Sequence, residues 1–271
     1  MPGGRGALPV GGGLVGVIVT VLILVLGGGG GYDVGKPFEP FPSQAQPANN
    51  SDRMDTAPDA STQLLDFLSF VIGDLQKFWA DDFQKADRDF TRTQLVVFSG
   101  GTDTGCGPGS AATGPFYCPL DRKIYVDPGF FADLANRFRA PGDFAQAYVL
   151  AHEYGHHVQT ITGITQQVDT ASRENPDQRN ALSVRVELQA DCLAGVWAHS
   201  TFERGLLEEG DLEEGLTAAA SVGDDRIQAA TTGRISPETF THGTAEQREG
   251  WFKRGFEDGD ATACDTFSGD I

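Results

Sequence analysis

Basic side chains are scarce in this sequence. The 271 residues hold 20 Lys and Arg against 38 Asp and Glu, a formal net charge of -18. Such a chain repels phosphates through its own field, and no basic stripe reverses this locally, so nucleic acid is excluded as a nonspecific partner. Cysteine is sparse as well. Cys106, Cys118, Cys192 and Cys264 contain no close CxxC pair, so they do not read as a structural zinc site. No internal repeat is present. Apolar segments recur from residue 61 onward, which excludes a wholly disordered chain.

Charge is missing altogether from Ala7 to Tyr32. The centre of that stretch runs unbroken from Leu14 to Leu26 apart from Gly16 and Thr20. With its flanking glycines it reaches about 18–20 residues, roughly 27–30 Å as a helix, enough to span a bilayer. The expectation is a short tail over 1–10 and one transmembrane helix over 11–30. A cleaved signal peptide is the alternative, but Gly27 to Gly31 follow the apolar run where a small-residue cleavage site would stand. Arg5 precedes the span, while Asp33 and Lys36 after it cancel. That bias favours a cytoplasmic N-terminus. The chain is therefore expected in the cytoplasmic membrane, single-pass, with its C-terminal part outside; secretion after cleavage is the other outcome. Residues 31–60 carry Pro37, Pro40, Pro42, Pro47 and Pro58 among Gln, Asn and Ser, and read as a linker. The folded domain spans 61–271.

Within that domain, Leu64, Leu68, Val71, Leu75 and Phe78 recur at helical spacing, so 61–82 reads as an amphipathic helix. Short strands are expected at 94–98 and 123–126, with an exposed Gly/Ser/Thr-rich loop over 100–115 between them. Helices follow at 130–138 and from Asp143 to about Gly163, the second opening on a capping box of Asp143 and Gln146. Residues 164–177 are polar. Further helices cover about 178–204, 212–231 with a kink at Gly223, and 244–259, with a short turn at Ser236-Pro237. The layout is α+β, mostly helical with a small β-sheet.

The helix from Asp143 contains His152-Glu153-Tyr154-Gly155-His156, an HExxH motif. At 100° per residue the two histidines share a face one turn apart, where both imidazoles reach one Zn²⁺. Glu153 lies beside them, placed to take a proton from a zinc-activated water and hand it to a leaving amine. A catalytic zinc takes a third protein ligand from another element and leaves one position open. The metzincin pattern is absent, because Gln159 and Thr162 stand where glycine and histidine are required. Glu187 and Asp191, at i and i+4 on the helix 178–204, offer the third ligand instead. One can ligate while the other receives a hydrogen bond from a ligating histidine; two exposed acids paired with Arg179 or Arg185 are the bland alternative. His157 points about 100° away from His156 and reads as structural, and His199 lies outside the ligand set. His242, in Phe240-Thr241-His242-Gly243-Thr244, is a candidate oxyanion donor or an ordinary loop histidine.

These stretches resemble the neutral zinc metallopeptidases of the YpfJ type, membrane-associated bacterial proteins. The resemblance covers about 95–267 and the N-terminal apolar segment. It rests on Val126-Asp127-Pro128, on the run from His152 to Gln159, and on Glu187 to Ala198. Gly223-Asp224-Asp225-Arg226, Thr241-His242-Gly243-Thr244 and Gln247-Arg248 before Trp251-Phe252 complete it. It implies a zincin-like domain with one catalytic zinc, held by His152, His156 and Glu187. Glu153 is then the base and Asp191 the carboxylate that orients a ligand. The implied function is a zinc-dependent metallopeptidase of the metalloendopeptidase type, acting on a peptide or protein substrate. A zinc hydrolase of a non-peptide amide such as a cell-wall component, and a non-catalytic, membrane-tethered binding module stabilised by zinc, are the alternatives.

Two smaller readings remain. Gly223-Asp224-Asp225-Arg226 reads as a bend with helix capping, or as an acidic pair bracing the site helices. Cys106 pairs with Cys118 across the glycine-rich loop and Cys192 with Cys264 in an exported domain; four reduced thiols are the alternative.

Overall fold

The computed structural model describes residues 60–271. The tail, membrane span and most of the linker expected over 1–60 lie outside the described residues. Among the described residues no helix is long and apolar enough to cross a membrane.

Helix α1 (Ala60–Lys85) leads into a small β region. It buries Leu68, Val71, Leu75, Trp79 and Phe83, one stripe at three- and four-residue spacing. Strand β1 (Gln94–Val97) follows, then β2 (Gly101–Thr104), β3 (Gly107–Ser110), β4 (Phe116–Cys118) and β5 (Lys123–Val126). Three of these form a mixed sheet of order β1-β5-β4, with β1 parallel and β4 antiparallel to β5. The stretch expected as an exposed loop is instead the antiparallel hairpin β2-β3. Its Gly, Thr, Asp and Pro residues carry no apolar alternation. What holds it lies elsewhere: the Cys106–Cys118 disulfide ties it to β4, and the Asp121 carboxylate accepts from Gly105 N–H at 2.8 Å.

The rest is helical. Helices α2 (Gly129–Asn136), α3 (Asp143–Ile161), α4 (Ile164–Glu174), α5 (Arg179–Glu203), α6 (Asp211–Ser221), α7 (Asp224–Thr231) and α8 (Ala245–Asp258) follow in order. The polar segment 164–177 forms α4, because Val168 and Ser172, one turn apart, give it a narrow buried stripe. The kink expected at Gly223 is a full break between α6 and α7. The capping box expected at Asp143 does not form. Gly142, at φ 118°, is the N-cap, and the Glu214 carboxylate of α6 accepts from Phe144 N–H at 3.1 Å. A box does form at α8, where Thr244 and Gln247 cap each other.

Helices α3 and α5 are buried on nearly all sides, and two close approaches fix them. A Cβ on Gly155 of α3 would stand 2.9 Å from the Ala190 backbone of α5. On the other side of α5, a Cβ on Gly195 would come 2.0 Å from Phe252 O of α8, and one on Gly255 2.0 Å from Cys192 O. The Cys192–Cys264 disulfide locks the C-terminal tail onto the same helix. Asp74 of α1 accepts from Trp197 Nε1 at 2.8 Å and from Arg204, which seats α1 on α5.

Since neither backbone can yield without parting the two helices, Gly255→Ala should lose about 3 kcal/mol of stability. Urea unfolding followed by circular dichroism measures this; an unchanged midpoint would show that the helices separate without cost.

Candidate metal centre

The α3–α5 crossing at Gly155 and Ala190 sets the distance between the two motif helices. It places His152 and His156 opposite Glu187, with donor atoms all within 4.8 Å of one another. His152 Nε2 stands 3.2 Å from Glu187 Oε2, and His156 Nε2 stands 3.6 Å from Glu187 Oε1. Bonds of about 2.0–2.2 Å at a tetrahedral angle put donor atoms roughly 3.3 Å apart, so these separations suit a zinc ion. Glu187 Oε1 is buried and has no hydrogen-bond partner, as expected of an atom whose natural partner is a cation.

The far ring nitrogens are held. His152 Nδ1 meets Asp191 Oδ1 at 2.8 Å, and His156 Nδ1 donates to Gln159 Oε1 at 2.8 Å. Each contact leaves Nε2 turned toward Glu187 and fixes the tautomer a metal ligand needs. Gln159 is secured in turn by Val186 O at 2.7 Å and Gln189 Oε1 at 3.1 Å.

Asp191 is fully buried. Beyond His152 it accepts from Tyr148 OH at 2.5 Å, from Arg248 Nε at 2.8 Å and from Arg248 Nη2 at 2.9 Å. Burial alone would raise its pKa; Arg248 and His152 outweigh that and hold it below the ordinary value. Glu187 likewise falls well below, because His156 and His152 outweigh its burial. For His152 the balance runs the other way: burial lowers it, but Asp191 and Glu187 lift it to about 9. All three shifts favour positive charge between the carboxylates. Glu153 lines the same cavity, and burial raises its pKa.

His242 lines the cavity from the loop before α8. Its Nδ1 sits 3.0 Å from Asp224 Oδ1, and Asp224 Oδ2 accepts the backbone N–H groups of Thr241, His242 and Gly243. Asp225 Oδ1 accepts Ala245 N–H. The acidic pair therefore braces the His242 loop rather than only capping a bend, while Arg226 is exposed and takes no part. His157 is structural, between Tyr117 OH at 3.0 Å and Thr91 O at 2.6 Å. His199 bonds Phe256 O, away from the cluster. Arg185 turns to the carbonyls of Thr266 and Gly269, so it does not neutralise Glu187 or Asp191.

Two participants escaped the sequence. Arg248, quoted there only as part of a motif, is the cation beside Asp191. Its signal was present in the spacing: Arg248, Trp251, Phe252 and Gly255 share the buried face of α8. Tyr148, one turn before His152, follows the same rule on α3.

A sequence model of the family described as "putative neutral zinc metallopeptidase" matches residues 1–267. The uncharacterized protein YpfJ of Escherichia coli K12 is 44% identical over 276 aligned residues, covering 100% of this chain and 91% of that protein. An uncharacterized protein of Mycobacterium tuberculosis is 48% identical over 190 residues, 66% of this chain and 64% of its own length. No solved structure matches.

Two outcomes follow from these contacts. Arg248→Ala strands a buried carboxylate and should cost about 3–5 kcal/mol in chemical denaturation; a loss under 1 kcal/mol would mean that Asp191 has other support. Asp224 is held below its ordinary pKa: burial raises it, and His242 with the backbone N–H groups more than reverses that. A depressed folded-state value stabilises fully above the unfolded pKa, about 4, and is lost as pH falls through the folded value. The stability gap between wild type and Asp224→Asn should therefore narrow from pH 6 to pH 3; a constant gap would refute the assignment.

Proposed function

Because the chain belongs to the neutral zinc metallopeptidase family, we propose that it hydrolyses peptide bonds as a zinc-dependent metalloendopeptidase. His152, His156 and Glu187 are the ligands. We place it at the cytoplasmic membrane through residues 11–30, with the domain outside; this rests on the uncharged run and Arg5 alone.

One observation carries the catalytic reading. Glu153 faces the cavity beside a cluster of three donors, His152, His156 and Glu187. A purely structural zinc site is closed by four protein ligands and needs no free acid beside it. When bound, zinc supplies Lewis acidity and brings the pKa of a water at its open position to about 7.

The chain's own groups do the rest. Glu153 takes the proton as water oxygen bonds to the peptide carbonyl carbon. It then gives that proton to the departing nitrogen as the C–N bond breaks. Its burial suits both halves of the task, since a carboxyl with a raised pKa holds a proton longer than an exposed one. His242 lines the cavity in a place to stabilise the carbonyl oxygen as that oxygen gains charge. Asp224 holds Nδ1 and so directs the ring. Asp191 keeps His152 aimed, and Arg248 and Tyr148 hold Asp191. The same residues would serve hydrolysis of another amide; the family supports the peptide.

Elemental analysis of the purified chain should find one zinc per molecule, both in wild type and in Glu153→Gln. Peptide hydrolysis by that variant should fall by 10²-fold or more. Undiminished turnover in Glu153→Gln would sink the mechanism, and loss of zinc from it would place Glu153 among the ligands.

A further inference from the structure

The hydrogen bonds behind His156 do not end at Gln159. Gln159 Nε2 donates to Gln189 Oε1 at 3.1 Å, and Gln189 Nε2 donates to Cys264 O at 2.9 Å. The contacts thus run from a cavity-lining imidazole, through α5, to a backbone carbonyl 75 positions beyond Gln189. Gln159, Gln189 and Cys264 are all buried, so water offers these groups no substitute partners.

Such a run of contacts has a direction. A carbonyl oxygen only accepts, so Cys264 O requires the nitrogen of the Gln189 amide and turns the amide oxygen toward Gln159. That oxygen in turn requires the Gln159 nitrogen, which also donates to Val186 O at 2.7 Å. The oxygen of Gln159 is left for His156 Nδ1, at 2.8 Å, and in the neutral ring Nδ1 must then carry the hydrogen. Nε2 is the bare nitrogen, 3.6 Å from Glu187 Oε1, as a metal ligand requires. The reversed order would set oxygen against oxygen at both Val186 and Cys264. The Cys264 carbonyl is itself held. The disulfide to Cys192 ties it to α5, and Thr266, two residues on, donates from Oγ1 to Arg185 O at 2.6 Å.

We propose that Gln189 is a positioning residue for the metal. It carries the polarity of the Cys264 carbonyl through Gln159 to His156, so the docked C-terminal tail decides which ring nitrogen faces Glu187. His152 is directed by a charged partner, Asp191. His156 is directed by neutral amides, and an amide can turn either end to a ring nitrogen. Its direction comes from the carbonyls of Val186 and Cys264. The metal centre is therefore complete only once the tail is in place. This rests on His156 being a zinc ligand and deepens that reading; it does not depend on the bond hydrolysed.

The test uses the full chain with ¹⁵N-labelled histidine, of which there are five. Long-range ¹H–¹⁵N spectra of the metal-free chain, recorded above the titration of His156, should show its ring protonated at Nδ1; His156→Asn identifies the signal. Gln189→Met keeps the length of the side chain and removes the amide, and in it the Nε2-protonated form should appear. Zinc affinity, measured by competition with a chromophoric chelator, should fall by about 10-fold in Gln189→Met and by about 10–100-fold in Gln159→Met. Thr266→Val loosens the tail but leaves the amides, and should change neither reading. A Gln189→Met spectrum and affinity like those of wild type overturn the proposal. So does a loss in Thr266→Val as large as that in Gln189→Met. If Gln189→Met fails to fold, wild type still decides, because a His156 ring protonated at Nε2 overturns the proposal. The ligand reading fails separately. Equal zinc affinity in wild type and His156→Asn would remove His156 from the ligands, while the metal-free spectra would still judge the relay.

Discussion

A carboxylate taken fully out of water must be answered by charge and hydrogen bonds, and Asp191 is answered from two neighbouring helices at once. Arg248 of α8 meets it with two nitrogens, and Tyr148 and His152 of α3 share its Oδ1 with Arg248 Nη2. Asp191 itself sits on α5. One buried acid thus joins the three helices that enclose the site, and any sliding of one would leave charge unpaired at a cost of several kcal/mol. Around this point the close approaches at Gly155, Gly195 and Gly255 let the backbones come near enough for such short side chains to meet. The disulfide from Cys192, the next residue, adds a covalent hold on the same turn.

That arrangement explains why so many polar groups are tolerated in the interior. His152, Gln159, Gln189, Asp191 and Arg248 are buried in two helices and a facing third, and each has a named partner. Four buried side-chain atoms among the described residues have no such partner: Asp121 Oδ1, Ser172 Oγ, Ser183 Oγ and Glu187 Oε1. Of these, Glu187 Oε1 is the one beside two imidazoles, in a cluster of donors that could hold a cation. Asp224 repeats the logic on a smaller scale, with one carboxylate gathering His242 and three backbone N–H groups of its loop.

The expectations that held share a physical basis. The amphipathic α1 and the helices that carry HExxH and the Glu187/Asp191 pair are short-range patterns, and the 100° turn converts spacing directly into a shared face. The capping box that Thr244 and Gln247 form at α8 is as local. Those that failed depend on partners far away in sequence. Asp143 and Gln146 have the letters of a box, yet Glu214, some seventy residues on, takes the orphan N–H of Phe144. The β2-β3 hairpin has no apolar alternation to betray it, because a disulfide and Asp121 hold it in place of a buried face. The partner of Arg248 is likewise remote in sequence, 57 positions earlier.

By itself the sequence determined the mostly helical class and the side chains that share each helix face, His152 with His156 and Glu187 with Asp191, since these are set by neighbours within a turn or two. It also carried the family resemblance, which needs no coordinates. Only the tertiary structure decided how far apart the two helices stand, which cation answers Asp191, and that Asp224 holds His242. Those are matters of helix crossing and long-range contact. A backbone approach of a few ångströms at Gly155 and Gly195 is set by the whole packed core, and no local spacing rule encodes it.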